Sequence, residues 1–179
     1  METSEDRSWS WGILLLAIGI GAWLRWQYVQ GTPPALRSHD FQGHMDYLAF
    51  VLEHGRMPSY AQGFQGYQPP LYYFIAAPLA ATDTAGGPLN TQGLQALSLW
   101  ISTATLVVGM WVGRMLFGGQ RGALVAFAAV LATFPGWVMG ASRVTNDGLV
   151  LMWMTLCLGG LIRWWQTGLN RWWAMAAVT

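Results

Sequence analysis

Long apolar runs, separated by short polar stretches that carry arginine, set the pattern of this chain. The first run predicts a helical span at about residues 9–28, and three more spans are predicted at about 91–117, 122–142 and 148–165. A fifth apolar segment begins at about residue 172. As a helix, each of the four runs crosses most of a hydrocarbon core about 30 Å thick. The pattern therefore predicts an all-α, polytopic membrane helix bundle.

A long polar loop, residues 29–90, separates the first two spans and contains helical periodicity of its own. Over residues 41–54, apolar side chains recur at helical spacing, while polar ones take the opposite side. The apolar set is Phe41, Met45, Leu48 and Leu52, and the polar set is Asp40, His44 and Tyr47. This spacing predicts an amphipathic helix on the membrane surface, with Ser38 or Asp40 at its start and Gly55 at its end.

A second apolar run inside the loop, residues 71–81, is too short to cross a bilayer. We expect a second surface or re-entrant helix there. It is preceded by the stretch Gln68-Pro69-Pro70, whose prolines fix an extended entry without backbone donors. Beyond this stiffening, Gln68 and Tyr72 are candidates for lining a groove that binds a lipid carrier.

Composition supports membrane embedding and argues against nucleic acid as a partner. Hydrophobic residues make up 54% of the chain and charged residues 9%, a balance too apolar for a soluble domain. The twelve tryptophans suit a membrane interface. The net charge is only +1, so no strong basic field is present. The single cysteine, Cys157, is most simply a small packed residue.

Arginine placement predicts the orientation. Short predicted turns after the second and fourth spans are flanked by arginine, which favours the inner side of the membrane. The flanking residues are Arg114, Arg121, Arg163 and Arg171. The 29–90 loop and the short 143–147 loop then lie outside. Four arginines that would lie on the outer side argue against this orientation: Arg25, Arg37, Arg56 and Arg143.

Two outer-side carboxylates are the candidate catalytic groups. Asp40 opens the predicted surface helix, where it serves either as a general base or as a helix N-cap. Asp147 follows Asn146 at the outer start of the fourth span, where it is either functional or an ordinary helix start. Because both aspartates face the same side from separate elements, we expect them to converge on one cleft.

Other polar groups lie beside these carboxylates. Arg143 either binds an anionic phosphate through a charge-assisted fork or extends toward lipid headgroups. His44 and Tyr47 are expected to line the cleft. His39, Asp40 and His44 carry metal-donor groups, but their spacing matches no strong zinc signature, so no metal ligand is assigned.

In this order of parts the chain resembles the GT-C class of integral-membrane glycosyltransferases. It is most similar to bacterial relatives of protein O-mannosyltransferases and of the lipid A aminoarabinose transferase. The resemblance rests on one span, a long outer loop with an early acidic residue, Pro-Pro-Leu-Tyr-Tyr before the second span, and Asn-Asp at the fourth. It covers essentially the whole chain, which would then be the N-terminal part of a longer protein.

The resemblance implies inverting transfer of a sugar from a polyprenyl-phosphate donor, at the outer face of a bacterial inner membrane, to a lipid, glycan or protein acceptor. Asp40 would be the general base, and Asp147 would orient the acceptor or support a divalent metal. His44, Tyr47, Arg143, Asn146, Gln68 and Tyr72 would bind substrate. Relatives often carry Asp-Glu in the first loop, whereas Phe41 follows Asp40 here, which weakens a metal role.

Two alternatives belong to other functional classes. A transporter or lipid-carrier flippase fragment is expected to place polar groups near the bilayer midplane, whereas mid-span positions here look almost wholly apolar. A non-catalytic assembly or scaffold subunit would tolerate the loss of Asp40 and Asp147.

Overall fold

The computed structural model describes residues 4–36, 38–62, 65–81 and 88–178, and these residues form helices without any strand. The helices are α1 (Ser4–Gln30), α2 (Phe41–His54), α3 (Leu71–Ala80), α4 (Thr91–Phe117), α5 (Arg121–Thr133), α6 (Pro135–Gly140), α7 (Asp147–Thr167) and α8 (Asn170–Val178). A short 3-10 helix, Tyr60–Gln62, lies between α2 and α3. The predicted all-α bundle is confirmed.

Four segments are long and apolar enough to cross a membrane: Trp9–Gln30, Thr91–Phe117, Arg121–Gly140 and Asp147–Thr167. They correspond to the four predicted spans, with ends shifted by a few residues. The predicted outer loop, 29–90, includes positions 37, 63–64 and 82–87, which lie outside the described residues.

The sequence pattern predicted one continuous helix over residues 122–142, but in the structure this span is interrupted. It breaks at Phe134, whose backbone is extended at φ −57° and ψ 118°. The reason is Pro135, because a proline pushes the preceding residue out of the helical region and has no N–H to donate. The short helix α6 follows the break and leads into the 141–146 loop.

The bundle has two packed cores. The first joins α1, α4 and α5 around buried residues such as Leu14, Leu106 and Leu124. The second joins α2 and α3 to the first half of α4 and the start of α7. The second core contains Tyr47, Tyr73 and Leu94, and it fixes α2 and α3 to α4 and α7.

The buried face of α2 differs from the predicted one. His44 and Tyr47 were expected opposite the apolar side, but they are buried with Met45, Leu48 and Val51. Leu52, expected on the apolar face, is exposed. The helix is rotated because Tyr47 stacks on Tyr73 of α3, with ring centroids 3.6 Å apart. Such a pair buries a large apolar area while leaving the phenol oxygens at its edge.

The ends of α2 partly match the sequence prediction. Gly55 ends the helix in the left-handed conformation at φ 65°, and its N–H donates to Val51 O at 2.9 Å. That conformation favours glycine. Asp40 occupies the N-cap position but its side chain makes no capping hydrogen bond. The Asp40 carboxylate is therefore not committed to the helix start.

Arginine–tryptophan contacts collect at one end of the bundle. Each of the four arginines that flank the turns after α4 and α7 lies over an indole ring, at centroid distances of 4.7 to 5.8 Å. The pairs are Arg114 with Trp11, Arg121 with Trp9, and Arg163 and Arg171 with Trp172. This arrangement is typical of an interfacial belt. The α2–α3 layer lies at the other end of α4, roughly 40 Å away along a 27-residue helix.

Gly21 of α1 gives the first prediction, because it lies where α1 meets α4 and α5. A Cβ added there would come within 2.6 Å of Leu106 Cδ2 and 3.2 Å of the Ala132 Cα. We expect Gly21→Ala to lower the free energy of unfolding by about 1–3 kcal/mol, since the Ala132 backbone cannot yield. The measurement is unfolding in detergent micelles, followed by circular dichroism.

Gly19→Ala is the matched control, because a Cβ at Gly19 meets nothing within 4 Å. It should be neutral or slightly stabilising, as alanine favours helix over glycine. Equal effects of the two substitutions would contradict the close packing of α1 against α4 and α5.

Candidate functional site

A cavity of about 180 Å³ opens between α1, α4, α6 and the start of α7. We name it the arginine cavity. Its charged lining residues are Arg25, Arg143 and Asp147. Hydroxyl side chains line it as well: Ser98, Ser102, Thr105 and Thr145. Two predicted site residues, Asp147 and Arg143, therefore share one cavity.

Arg25 also lines the cavity. It was not among the predicted site residues, because its charge was interpreted only as a signal of membrane orientation. It is 1% exposed, and its Nε donates to Ser102 Oγ at 3.0 Å. One Nη donates to the carbonyl oxygens of Gly21 at 2.9 Å and Ala132 at 3.2 Å. The sequence did contain a signal for this role, since Arg25 is a single charged residue directly after a long uncharged run. An ionisable residue in such a span is a functional candidate by default.

The cavity also corrects the expectation that mid-span positions are almost wholly apolar. Ser102 and Thr105 lie near the middle of α4, and both line the cavity. Their hydroxyls are nevertheless satisfied within the protein: Thr105 donates to Ile101 O at 2.8 Å and Ser102 to Trp137 O at 3.4 Å. The polar lining thus extends from the end of the bundle near Asp147 toward the middle of α4.

Asn146 and Gln68, both predicted to bind substrate, contact each other. Asn146 Nδ2 donates to Gln68 Oε1 at 2.7 Å, and Gln68 Nε2 donates to Gln65 Oε1 at 2.7 Å. Asn146 is buried, and its Oδ1 has no hydrogen-bond partner among the described residues. This link joins the loop between α2 and α3 to the loop before α7, so the two loops that were predicted to share one side do lie at the same end of the bundle.

Gln95 strengthens the same junction. Its side-chain Nε2 donates to Thr32 O at 2.8 Å and to Ser142 O at 3.3 Å. Through this one amide, α4 holds both the chain that leaves α1 and the chain that follows α6.

The next group is a buried polar cluster of α2 and α3. His44 Nδ1 and Tyr73 Oη are 2.7 Å apart, and Tyr72 meets Tyr73 edge-on at a centroid distance of 5.4 Å. His44, Tyr47 and Tyr72 were predicted to line a cleft that binds substrate. In the structure all three are buried and none lines the arginine cavity, and their role in binding substrate stays a prediction.

Burial also sets the protonation of this cluster. It lowers the pKa of His44, against an opposing effect of Asp147 and then Asp40. Burial raises the pKa of Tyr72 to about 12 and raises that of Tyr73 still further. With both groups neutral, the contact is an uncharged hydrogen bond between His44 Nδ1 and the Tyr73 hydroxyl, and the imidazole tautomer sets its direction.

The two candidate carboxylates occupy different positions around this cluster. Both act on the charge of His44, so both lie within electrostatic range of one imidazole. Asp147 lines the arginine cavity, whereas Asp40 is exposed and does not line it. The structure therefore does not bring both aspartates into one cleft, because only Asp147 lines the arginine cavity.

No group of three or more His, Cys, Asp or Glu side chains that could hold a metal ion occurs within residues 4–36, 38–62, 65–81 and 88–178. His39, Asp40 and His44 therefore do not form a ligand set there. No protein-family model matches the chain, and no significant match was found among curated proteins or solved structures.

The His44–Tyr73 contact predicts a pH-dependent stability. Because burial places the folded-state pKa of His44 below its ordinary value of 6.5, the unfolded chain takes up a proton first as pH falls. The contribution of His44 is then present above about pH 6.5 and is lost as pH falls through the folded-state pKa. We expect the melting temperature of the parent to fall between pH 8 and pH 5, and that of His44→Gln to fall less.

His54→Gln serves as the control, because His54 is exposed at the end of α2. Its pH profile should follow the parent. A His44→Gln profile as steep as that of the parent would mean that protonation of His44 does not weaken the α2–α3 contact.

Proposed function

We propose that the protein transfers a sugar from a polyprenyl-phosphate donor to an acceptor at the membrane face on which α2, α3 and the 141–146 loop lie. The observation that carries the proposal is the arginine cavity, where the Asp147 carboxylate and two guanidinium groups meet at a membrane boundary. A lipid-linked sugar keeps its tail in the bilayer and its phosphosugar at this depth. An enzyme for such a donor needs its polar groups there too.

The reaction requires one base and accurate positioning. The acceptor oxygen attacks the anomeric carbon with inversion, and the bond from that carbon to the phosphate oxygen breaks. The acceptor proton passes to a carboxylate, and polyprenyl phosphate leaves with the bonding electrons. Because the phosphate is already a good leaving group, no covalent enzyme intermediate is needed.

We assign the base role to Asp40 and the role of orienting the acceptor to Asp147. Support for Asp40 is its exposed carboxylate, which makes no capping hydrogen bond and lies within electrostatic range of His44. Support for Asp147 is its place in the cavity lining, beside Arg143 and Thr145. His44 and Tyr73 act as a buried support that fixes α2, and hence Asp40, against α3.

A transport function is the second candidate, and one observation favours it. The arginine cavity reaches Thr105 near the middle of α4, where a carrier would place a substrate path. The same lining also suits the phosphosugar of a donor whose lipid enters from the bilayer. Sugar transfer and transport are therefore distinguished by whether the donor is consumed.

The test follows release of polyprenyl phosphate in proteoliposomes that contain the whole protein and a mixture of polyprenyl-phosphate sugars. We expect turnover by the parent, with Asp40→Asn slower by about 10²–10⁴-fold, the usual contribution of a general base. Asp147→Asn should also be impaired, mainly through a higher KM for the acceptor. Circular dichroism checks that each variant is folded.

Asp46→Asn is the matched control, because Asp46 lies on α2 and its carboxylate accepts from Gln42 at 2.8 Å. It should turn over like the parent. If Asp40→Asn keeps full activity, Asp40 is not the base. If no donor is consumed but it appears on the opposite side of the membrane, transport replaces sugar transfer. If neither occurs, an assembly role remains.

A further inference from the structure

We propose that the arginine cavity binds a phosphate group, held by the guanidinium groups of Arg25 and Arg143. This site deepens the proposed sugar transfer and rests on it in that the phosphate would be that of the proposed donor. Binding and turnover are separate measurements, so the failure of one can be told from the failure of the other.

The first observation is the uncompensated charge of Arg25. Its hydrogen bonds go to a serine hydroxyl and two backbone carbonyls, which are neutral acceptors. Among the described residues no carboxylate forms an ion pair with Arg25, so this guanidinium is not neutralised. A buried charge without a counter-ion is costly, and an anionic ligand in the cavity that it lines would lower that cost.

The second observation concerns Arg143, which reaches the cavity from the loop before α7. Its Nε is buried and has no hydrogen-bond partner among the described residues. Asp147 is the single carboxylate among the cavity lining residues, against the two guanidinium groups. The lining therefore carries a formal charge of +1, and it is adjacent to the first turn of the long helix α7, whose dipole adds positive potential.

The third observation narrows the chemistry of the ligand. The hydroxyls of Ser98, Ser102 and Thr105 already donate to backbone carbonyls at 3.2, 3.4 and 2.8 Å. Arg25 Nε and Nη1 are also engaged, with Ser102, Gly21 and Ala132, so Arg25 Nη2 and the Arg143 guanidinium are the main charged donors left for a ligand. Charged donors that approach from separate elements suit an anion with several oxygens, and phosphate is such an anion.

The remaining lining is apolar, with Ile101, Leu106, Trp137 and Leu151. It is compatible with a phosphate attached to a lipid chain as well as with free phosphate. Both sources share the same recognition chemistry, and the experiment separates them.

The experiment measures binding to the whole protein in nanodiscs of phosphatidylcholine. The probes are a short-chain polyprenyl phosphate, the uncharged polyprenol of the same length, and inorganic phosphate. We expect polyprenyl phosphate to raise the melting temperature saturably, and polyprenol to have no such effect. Competition by inorganic phosphate would show that the phosphate group alone is recognised, while its failure would assign the site to lipid-linked phosphate.

Arg143→Gln should weaken the apparent Kd for polyprenyl phosphate at least tenfold, because it removes a charged fork. It should fold, since the Nε that it removes has no hydrogen-bond partner in the part of the chain that the structure describes. Arg56→Gln is the matched control, because Arg56 is exposed and lies over Phe50, away from the cavity. Binding by this control should equal that of the parent.

Two further variants address Arg25 and the cavity itself. Arg25→Lys keeps the charge but lacks the planar guanidinium, and it should also weaken binding. If this variant does not fold, Ser102→Ala is used instead, because it removes the acceptor of Arg25 Nε. A Cβ at Gly140 meets nothing within 4 Å, so Gly140→Leu should fill the cavity and block binding with both arginines present. Equal binding of polyprenol, or unchanged affinity in Arg143→Gln or Gly140→Leu, would overturn the proposal.

Discussion

The interaction on which the rest of this bundle depends is the burial of the Arg25 guanidinium between three helices. Arg25 lies on α1, donates to Ser102 of α4, and donates to the carbonyl of Ala132 in the last turn of α5. Within an apolar bundle such a group would be strongly unfavourable without these acceptors. Its hydrogen bonds therefore restrict how α1, α4 and α5 are arranged.

The break before Pro135 makes this arrangement possible. A helix that continued past Thr133 would pair the Ala132 carbonyl with a later N–H; the extended Phe134 ends that ladder and frees the carbonyl. Arg25 then supplies the donor, and its positive charge is favourable at the C-terminal end of α5. The short helix α6 turns aside after the break and provides Gly136, Trp137 and Gly140 to the wall of the cavity. Pro135 thus determines both where α5 ends and where the α6 residues that line the cavity lie.

Sequence patterns were sufficient for the helices, apart from the break at Phe134, but not for the faces that they bury. The four spans, α2 and the Gly55 cap follow from apolar run length and from turn chemistry. The rotation of α2 did not follow, because Tyr47 and His44 count as polar in a periodicity argument but stack as rings on α3. The aromatic contact outweighs the polar tips, and this preference becomes visible only when the partner helix is present.

The candidate site was predicted in part. Asp147 and Arg143 were identified as neighbours, and they do share a cavity. Arg25 was taken as a topology signal because a positive charge near a span end ordinarily reports orientation. Its burial depends on an acceptor from α5, more than 100 residues away in the chain, since Ala132 is separated from Arg25 by 107 positions. No local pattern carries that information.

The most direct test of the central role of Arg25 is a double-mutant cycle with Ser102. The free energy of unfolding is measured in detergent micelles for the parent, Arg25→Met, Ser102→Ala and the double variant. Because a charged donor and a partly buried hydroxyl lie 3.0 Å apart, we predict a coupling energy of about 1–2 kcal/mol. Effects that add to within about 0.3 kcal/mol would contradict the account, because Arg25 would then not connect α1 to α4.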